Sequence, residues 1–231
     1  GHMVTLFEKF PYLGGKLRLA SIPPKRNEIM RAIEYFERQL NRVGVQVELG
    51  TSVTVEEISG LGFDEIVLAS GAPASIPSIP GAESVQVLPA EEVLLEKSPV
   101  GSRVLIVGGG MVGCEIADFL SSKGKKVILV ERLPDVAPHV DPPSTVFLRK
   151  RLQDQGVEIW TSCEVKRILT NEVVIEKEGL EGRIGPVDTI VMAAGYGSES
   201  DAAKSFDLST HRVHVIGDAL EPRDALWAIY E

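Results

Sequence analysis

The chain has 231 residues, 44% of them apolar and 25% charged, with a formal net charge of −9. That acidity argues against a nucleic-acid surface as the main partner, the apolar runs are too short to span a membrane, and no segment joins the basic flank and apolar core of a secretory signal. Cys114 and Cys163 are the only cysteines and lie far apart, which gives neither a disulfide framework nor metal-ligand spacing and makes a reducing, cytoplasmic compartment the expectation.

Gly1-His2-Met3 is either natural sequence or the remnant of a tag. Val4-Thr5-Leu6-Phe7 reads as a buried strand, and it ends on the acid Glu8. Pro23-Pro24 form a rigid approach to a helix in which Ile29, Ile33, Phe36, Leu40 and Val43 recur at helical spacing. Gly44 suits its C-cap, and a strand follows from Val45. Ile66-Val67-Leu68 is a further strand and runs into Ala69-Ser70-Gly71. The proline-punctuated stretch Ile76 to Gly81 is a candidate domain linker.

The clearest motif is central. The strand Arg103 to Val107 leads into Gly108-Gly109-Gly110-Met111-Val112-Gly113, which fits G-x-G-x-x-G. A helix follows, with Ile116, Phe119 and Leu120 on one face, and then the strand Val127 to Val130 ends on Glu131. Glu131 stands 18 positions after Gly113, close to the spacing of about 20 in a dinucleotide-binding unit. The fingerprint alone is a weak signal, whereas strand, fingerprint, helix, strand and acid in this order are a strong one. The first glycine permits the tight turn, the second lets backbone approach a pyrophosphate, and the third allows close helix–strand packing. The helix N-terminus offers amide donors and partial positive charge to phosphate. Glu131 can accept hydrogen bonds from a ribose 2′-hydroxyl and would repel a 2′-phosphate, which favours NAD over NADP, while Arg132 beside it tempers that preference. The competing reading is a glycine-rich turn that binds nothing.

Asp141 precedes Pro142-Pro143 as a candidate N-cap, and the helix after it ends at Gly156. Strands follow at Val157, at Ile190 to Ala194 before Gly195, and at Val213 to Ile216 before Gly217-Asp218, and a short helix over about Pro222 to Tyr230 closes the chain. The two halves match each other. Val4 to Lys9 parallels Val127 to Arg132, Arg38 to Val45 parallels Lys150 to Val157, and Ile66 to Gly71 parallels Ile190 to Gly195. The acid and the closing glycine are 63 positions apart in the first copy and 64 in the second. Two nucleotide-binding units therefore share the chain, and the first lacks an opening strand, glycine turn and helix.

Two such units, with an Ala-Ser-Gly turn after the third strand and a late strand ending in Gly217-Asp218, resemble the two-dinucleotide-binding-domain flavoproteins. Val4 to Lys9, Leu13 to Leu17, Ala20 to Pro24, Gly108 to Glu115 and Ile216 to Arg223 resemble more narrowly the C-terminal module of the NADH:flavin oxidoreductases, the group of enoate reductases and 2,4-dienoyl-CoA reductase. The resemblance covers nearly the whole chain. It implies an α/β fold of two Rossmann-like units, with an NAD domain (85–197) inserted in an incomplete FAD domain (1–84 and 198–231). A full-length member carries an N-terminal barrel with FMN and an iron–sulfur cluster as the partner of this module, and nothing in this chain resembles that barrel. The chain departs from the family where the first fingerprint is missing, and the closing helix of the family runs further than Glu231.

By this resemblance Glu8, with Lys9 beside it, would hold the adenosine ribose of FAD. Gly14-Gly15 and Ser70-Gly71 would let backbone approach the flavin nucleotide, and Gly217-Asp218 would place a carboxylate on ribityl hydroxyls. A strand-end acid, plain loop turns and a helix N-cap are the respective alternatives, and the last is compatible with flavin contact. Gly108, Gly110, Met111, Val112 and Gly113 would line the NAD pyrophosphate, Glu115 would lie near the nicotinamide end or be a solvated first-turn acid, and Gly195 is the close-approach glycine of the second unit. The expected activity is hydride transfer from NADH to FAD and onward to the barrel, with no catalytic side chain and no metal site in this chain. FAD is expected to be held poorly or not at all by this chain, and a homo-oligomer would cover exposed strand edges. The alternative is a non-catalytic adenine-nucleotide-binding module. A dehydrogenase with its own organic substrate fits least, for want of a proton donor–acceptor pair. Cys114 reads as a small buried thiol, Trp160 and Trp227 as packing residues, Arg149-Lys150-Arg151 as a solvated helix face, and His2, His139, His211 and His214 show no metal spacing.

Overall fold

A computed structural model describes residues 1–75, 77–84, 86–137, 142–197, 212–223 and 225–230. Asp141 as N-cap, His139, His211 and the start of the linker at Ile76 lie outside these residues. The chain is α/β and divides into two compact units. One comprises 1–18, 30–73 and 196–231, and the other 19–29 and 74–195. The residues between Leu19 and Ile29, read in the sequence as an approach to a helix, thus belong to the second unit.

The first unit holds β1 (Thr5–Glu8), the start of α1 (Gly15–Ala20), most of α2 (Ile29–Val43), β2 (Gln46–Leu49), α3 (Val55–Gly60) and β3 (Glu65–Leu68). Thr54 caps α3 through a reciprocal capping box with Glu57. The second unit adds β4 (Val87–Pro89), α4 (Ala90–Leu94), β5 (Arg103–Val107), α5 (Met111–Ser122), β6 (Lys126–Val130), α6 (Pro142–Asp154), β7 (Glu158–Trp160), β8 (Cys163–Ile168), β9 (Val173–Lys177), β10 (Leu180–Ile184) and β11 (Thr189–Met192). The chain then returns to the first unit with β12 (Arg212–Val215), a 3₁₀ turn at Gly217–Ala219 and α7 (Ala225–Tyr230).

In the second unit five parallel strands run in the order β4-β11-β5-β6-β7, beside an antiparallel β8-β9-β10 meander bulged between Val165 and Arg167. Leu105, Ile106, Leu129, Ile190 and Val191 are fully enclosed. Strands covered on both faces must be continuously apolar, which is why these segments lack the alternation of a half-exposed sheet. The first unit differs. Its strands form two separate parallel ladders, β1 with β2 and β3 with β12. In the second unit β5 stands between β6 and β11, the counterparts of β1 and β3, and among the described residues no strand stands between β1 and β3. The burial follows from that. Val191 is 0% exposed and its counterpart Val67 is 57% exposed.

Among the described residues the buried hydrophobics of the first unit are Ile33, Ile66, Ala72 and Ala219. Of the expected apolar face of α2 only Ile33 is buried, while Phe36 and Val43 are exposed. The periodicity is helical, but a divided sheet gives the helix little to cover. Trp227 is also exposed, stacked under the Arg223 guanidinium and edge-on to Tyr230, so it is not a core residue, whereas Trp160 packs against the second unit's core.

Candidate functional site

The fingerprint turn of the second unit assigns each glycine a separate job. Gly108 has a φ of +106°, and a Cβ there would strike the Ala193 carbonyl. A Cβ at Gly113 would overlap the Gly108 carbonyl oxygen, so α5 packs against its own preceding turn only because residue 113 has no side chain. Gly109 occupies a variable position of the motif, yet a Cβ there would come within 2.8 Å of both Glu131 Cβ and Val136 Cγ1. Gly110, by contrast, faces open space, with no atom within 4 Å of an added Cβ. It is the N-cap of α5, and no side chain caps that helix, so the amides of Met111, Val112 and Gly113 end in the same opening. Gly195, at the end of β11, has a φ of +100° and likewise opens on space.

Glu131 lies at the end of β6 with both carboxylate oxygens engaged. The Gly109 amide donates to Oε2 at 2.5 Å and the Leu133 amide donates to Oε1 at 2.6 Å. The acid is thereby held against the glycine turn, with lone pairs remaining for a hydroxyl. The first unit repeats the local closure. Phe10 N–H donates to Glu8 Oε1 at 2.9 Å, the Thr51 amide donates to the Glu8 carbonyl as Cys163 does to Glu131, and the Gly50 amide donates to Phe10 as Ser162 does to Leu133. Lys9 lies over the Phe10 ring. The repeat read from the sequence is thus a repeat of hydrogen bonds, lacking in the first unit the contact from a glycine turn.

Glu115 is not a solvated acid. Its side chain is 13% exposed, and Arg26 Nε reaches its Oε1 at 2.7 Å. Arg26 Nη2 also lies 4.0 Å from Met111 Sδ, so the guanidinium spans the first turn of α5. Burial pushes the Glu115 carboxyl up from its ordinary value, and the Arg26 charge opposes that shift. Sequence reasoning missed Arg26 because it stands 89 positions before its partner; the rigid Pro23-Pro24 approach was the only signal. The run Arg149-Lys150-Arg151 is also not uniformly solvated. Arg149 pairs with Asp135 at 2.7 Å, and Arg151 reaches Asp118, which is 1% exposed, at 2.8 Å, leaving Lys150 as the solvated member. Cys114 is buried against the Gly109 carbonyl, and burial pushes its thiol up to about 12, which makes it a packing residue. Among the described residues no group of His, Cys, Asp and Glu could hold a metal, and no helix is long and apolar enough to cross a membrane.

In the first unit the remaining candidates converge. β3 and β12 are parallel neighbours, so the turns after them lie side by side. Gly71 has a φ of +79° and opens on space, and Gly217 has a φ of +60° before Asp218. Gly14 does not open on space, since a Cβ there would meet the Ile33 side chain at 2.9 Å. Gly15, instead of a plain loop residue, begins α1 and is unobstructed. Lys16, which follows it, donates to the Ala72 carbonyl and lies 3.8 Å from Asp218 Oδ2. A carboxylate, an ammonium and unobstructed glycines at strand ends fit the hydroxyls and phosphates of a nucleotide, as the glycine turn, α5 amides and Glu131 do in the second unit.

The sequence profile of the pyridine nucleotide-disulphide oxidoreductase family matches residues 25–228. Cinnamate reductase of Clostridium sporogenes is 32% identical over 237 aligned residues, covering 100% of this chain and 35% of the relative. NADH oxidase of Thermoanaerobacter brockii is 35% identical over 95% of this chain and 34% of its own length. The solved structure of 2-naphthoyl-CoA reductase in complex with 2-naphthoyl-CoA superimposes with a TM-score of 0.93 at 25% identity, over 100% of this chain and 35% of that one. The chain spans about a third of the length of the curated relatives it matches.

Proposed function

We propose that this chain, which belongs to the pyridine nucleotide-disulphide oxidoreductase family, is the pyridine-nucleotide:flavin reductase module of a larger oxidoreductase. The second unit binds NAD(H) and the first carries the flavin half-site. The observation that carries this reading is the fingerprint turn, where Gly110 and the first amides of α5 open on the same space and Glu131 is pinned beside them. When bound, nicotinamide supplies a hydride and FAD accepts it; the protein's part is binding, orientation and electrostatics. The α5 amides hold pyrophosphate, Glu131 holds the adenosine ribose and disfavours a 2′-phosphate, and Arg26 keeps Glu115 fixed at the first turn. In the first unit Glu8, Ser70-Gly71 and Gly217-Asp218 take the corresponding parts of FAD.

About two-thirds of cinnamate reductase and of 2-naphthoyl-CoA reductase lies outside the alignment, and an FMN- and iron–sulfur-bearing barrel in the corresponding portion of the full-length protein is the acceptor of the electrons. Buried free thiols suit a reducing cytoplasm. The divided sheet and thin core of the first unit support weak, exchangeable FAD. The same observation favours a second reading, a nucleotide-binding module without hydride transfer. The visible spectrum of the purified protein, followed by NADH-driven dye reduction with added FAD, separates the two. Turnover that requires added FAD supports the reductase. NADH binding without turnover at saturating FAD leaves the second reading, and flavin retained through purification refutes weak FAD binding.

A further inference from the structure

Glu131 can reject a 2′-phosphate only while its carboxylate stays in place, and in the second unit the segment after β6 holds it there. The Leu133 amide donates to Glu131 Oε1, and the chain then returns to the glycine turn, where the Ala137 amide donates to the Gly109 carbonyl at 2.7 Å. Gly109 N–H in turn donates to Glu131 Oε2. Residue 109 is thus tied through its amide to the acid and through its carbonyl to the segment. A Cβ at Gly109 would stand 2.8 Å from both Glu131 Cβ and Val136 Cγ1, so acid, turn and segment are packed as one unit. Ala137 has a φ of +46°, in the left-handed region that disfavours a residue with a side chain. Local preference therefore does not bring the segment to Gly109, and a tertiary contact has to.

Arg149 on α6 supplies that contact. Its Nη1 pairs with Asp135 Oδ1 at 2.7 Å and its Nη2 donates to the Val136 carbonyl, while Asp135 Oδ1 also accepts from the Val136 amide at 2.8 Å. The ion pair alone counts for little, since the two side chains keep 40% and 53% of their exposure. The planar fork of a guanidinium adds geometry, because it grips a side chain and the adjoining backbone at once. We propose that Arg149 is a positioning residue for nucleotide selectivity: by clamping Asp135 and Val136 it seats the 133–137 segment on Gly109 and keeps the Glu131 carboxylate facing an incoming 2′-phosphate. This rests on the reading of the second unit as an NAD(H) site and adds to it a residue that acts through the segment. A direct electrostatic role for Arg149 has the opposite sign. Removing a cation near a 2′-phosphate, and leaving Asp135 without its counter-charge, would weaken NADPH binding and raise the ratio of NADPH to NADH dissociation constants. Removing a clamp on Glu131 lowers that ratio.

The test is isothermal titration of the whole chain with NADH and with NADPH, for the unaltered protein, Arg149→Met and Arg149→Lys, each also combined with Glu131→Gln, and for Glu131→Gln alone. Melting curves check the folding of all six proteins. Arg149→Met should lower the ratio of NADPH to NADH dissociation constants by about threefold or more, and by no more than Glu131→Gln does. Arg149→Lys, which can keep one of the two contacts, should fall between Arg149→Met and the unaltered protein. In the Glu131→Gln background neither change at Arg149 should move the ratio, because no charge is left to position. If Arg149→Met fails to melt cooperatively, Arg149→Lys in the two backgrounds decides by the same criterion. A ratio that rises or stays constant, or that falls equally in the Glu131→Gln background, overturns the assignment of Arg149 while the NAD(H) site stands. Equal affinity of the unaltered protein for both nucleotides refutes the selectivity of Glu131 and with it the part given to Arg149. If NADH does not bind the unaltered protein at millimolar concentration, the NAD(H) reading itself fails and the assignment falls with it.

Discussion

Replacing Glu131 by glutamine probes the nucleotide preference at its physical origin. Both carboxylate oxygens are held by backbone amides, at 2.5 and 2.6 Å, so the charge cannot swing away from an incoming 2′-phosphate. Two unit charges about 5 Å apart at an effective dielectric of about 20 repel by roughly 3 kcal/mol. Salt and partial exposure reduce this to about 1.5–2 kcal/mol, which corresponds to about 10- to 30-fold in affinity. Glu131→Gln removes the charge and should lower the ratio of NADPH to NADH dissociation constants by about that factor. It also turns one amide nitrogen toward a backbone N–H, and an unsatisfied donor of this kind costs about 1–3 kcal/mol, so a lower melting temperature should accompany the change. Isothermal titration with both nucleotides, on protein shown to melt cooperatively, measures the ratio. An unaltered protein that binds NADPH as tightly as NADH, or a variant with an unchanged ratio, refutes the reasoning.

The glycine turn predicts opposite outcomes at two positions. Gly113→Ala drives a Cβ into the Gly108 carbonyl and should destabilise the second unit by about 2 kcal/mol or more in thermal melts, whereas Gly110→Ala meets no protein atom and should fold normally but weaken NADH binding. Asp118→Ala strips the buried partner from Arg151, and because the guanidinium keeps 31% exposure a loss of about 1–3 kcal/mol is expected, read by denaturant unfolding. For Glu115, whose carboxyl is pushed above its ordinary 4.5 by burial, the contribution to stability is greatest below about pH 4.5 and declines as pH rises through the raised value. Glu115→Gln should remove that slope, so the melting difference between the two proteins should change as pH rises from about 4.5 through the raised value and be flat above it.

Periodicity and spacing made much of this molecule legible from the sequence. The run from Arg103 to Glu131 announces strand, turn, helix and strand because G-x-G-x-x-G admits few other backbones, and the repeat of Val4 to Lys9 in Val127 to Arg132 reappears as the same closure of an acid onto the amide two residues on. The hydrophobic face of α2 was legible as helical, but its burial was not, since Phe36 and Val43 are covered only if a continuous sheet lies beneath them. Tertiary structure alone decided the long-range partners. Arg26 meets Glu115 across 89 positions, Arg151 meets the buried Asp118, and Lys16 joins the turns after β3 and β12. A local pattern fixes backbone geometry over a few residues, because sterics and hydrogen bonding act between chain neighbours. An ion pair between distant elements depends on where those elements come to rest, and no local spacing encodes it.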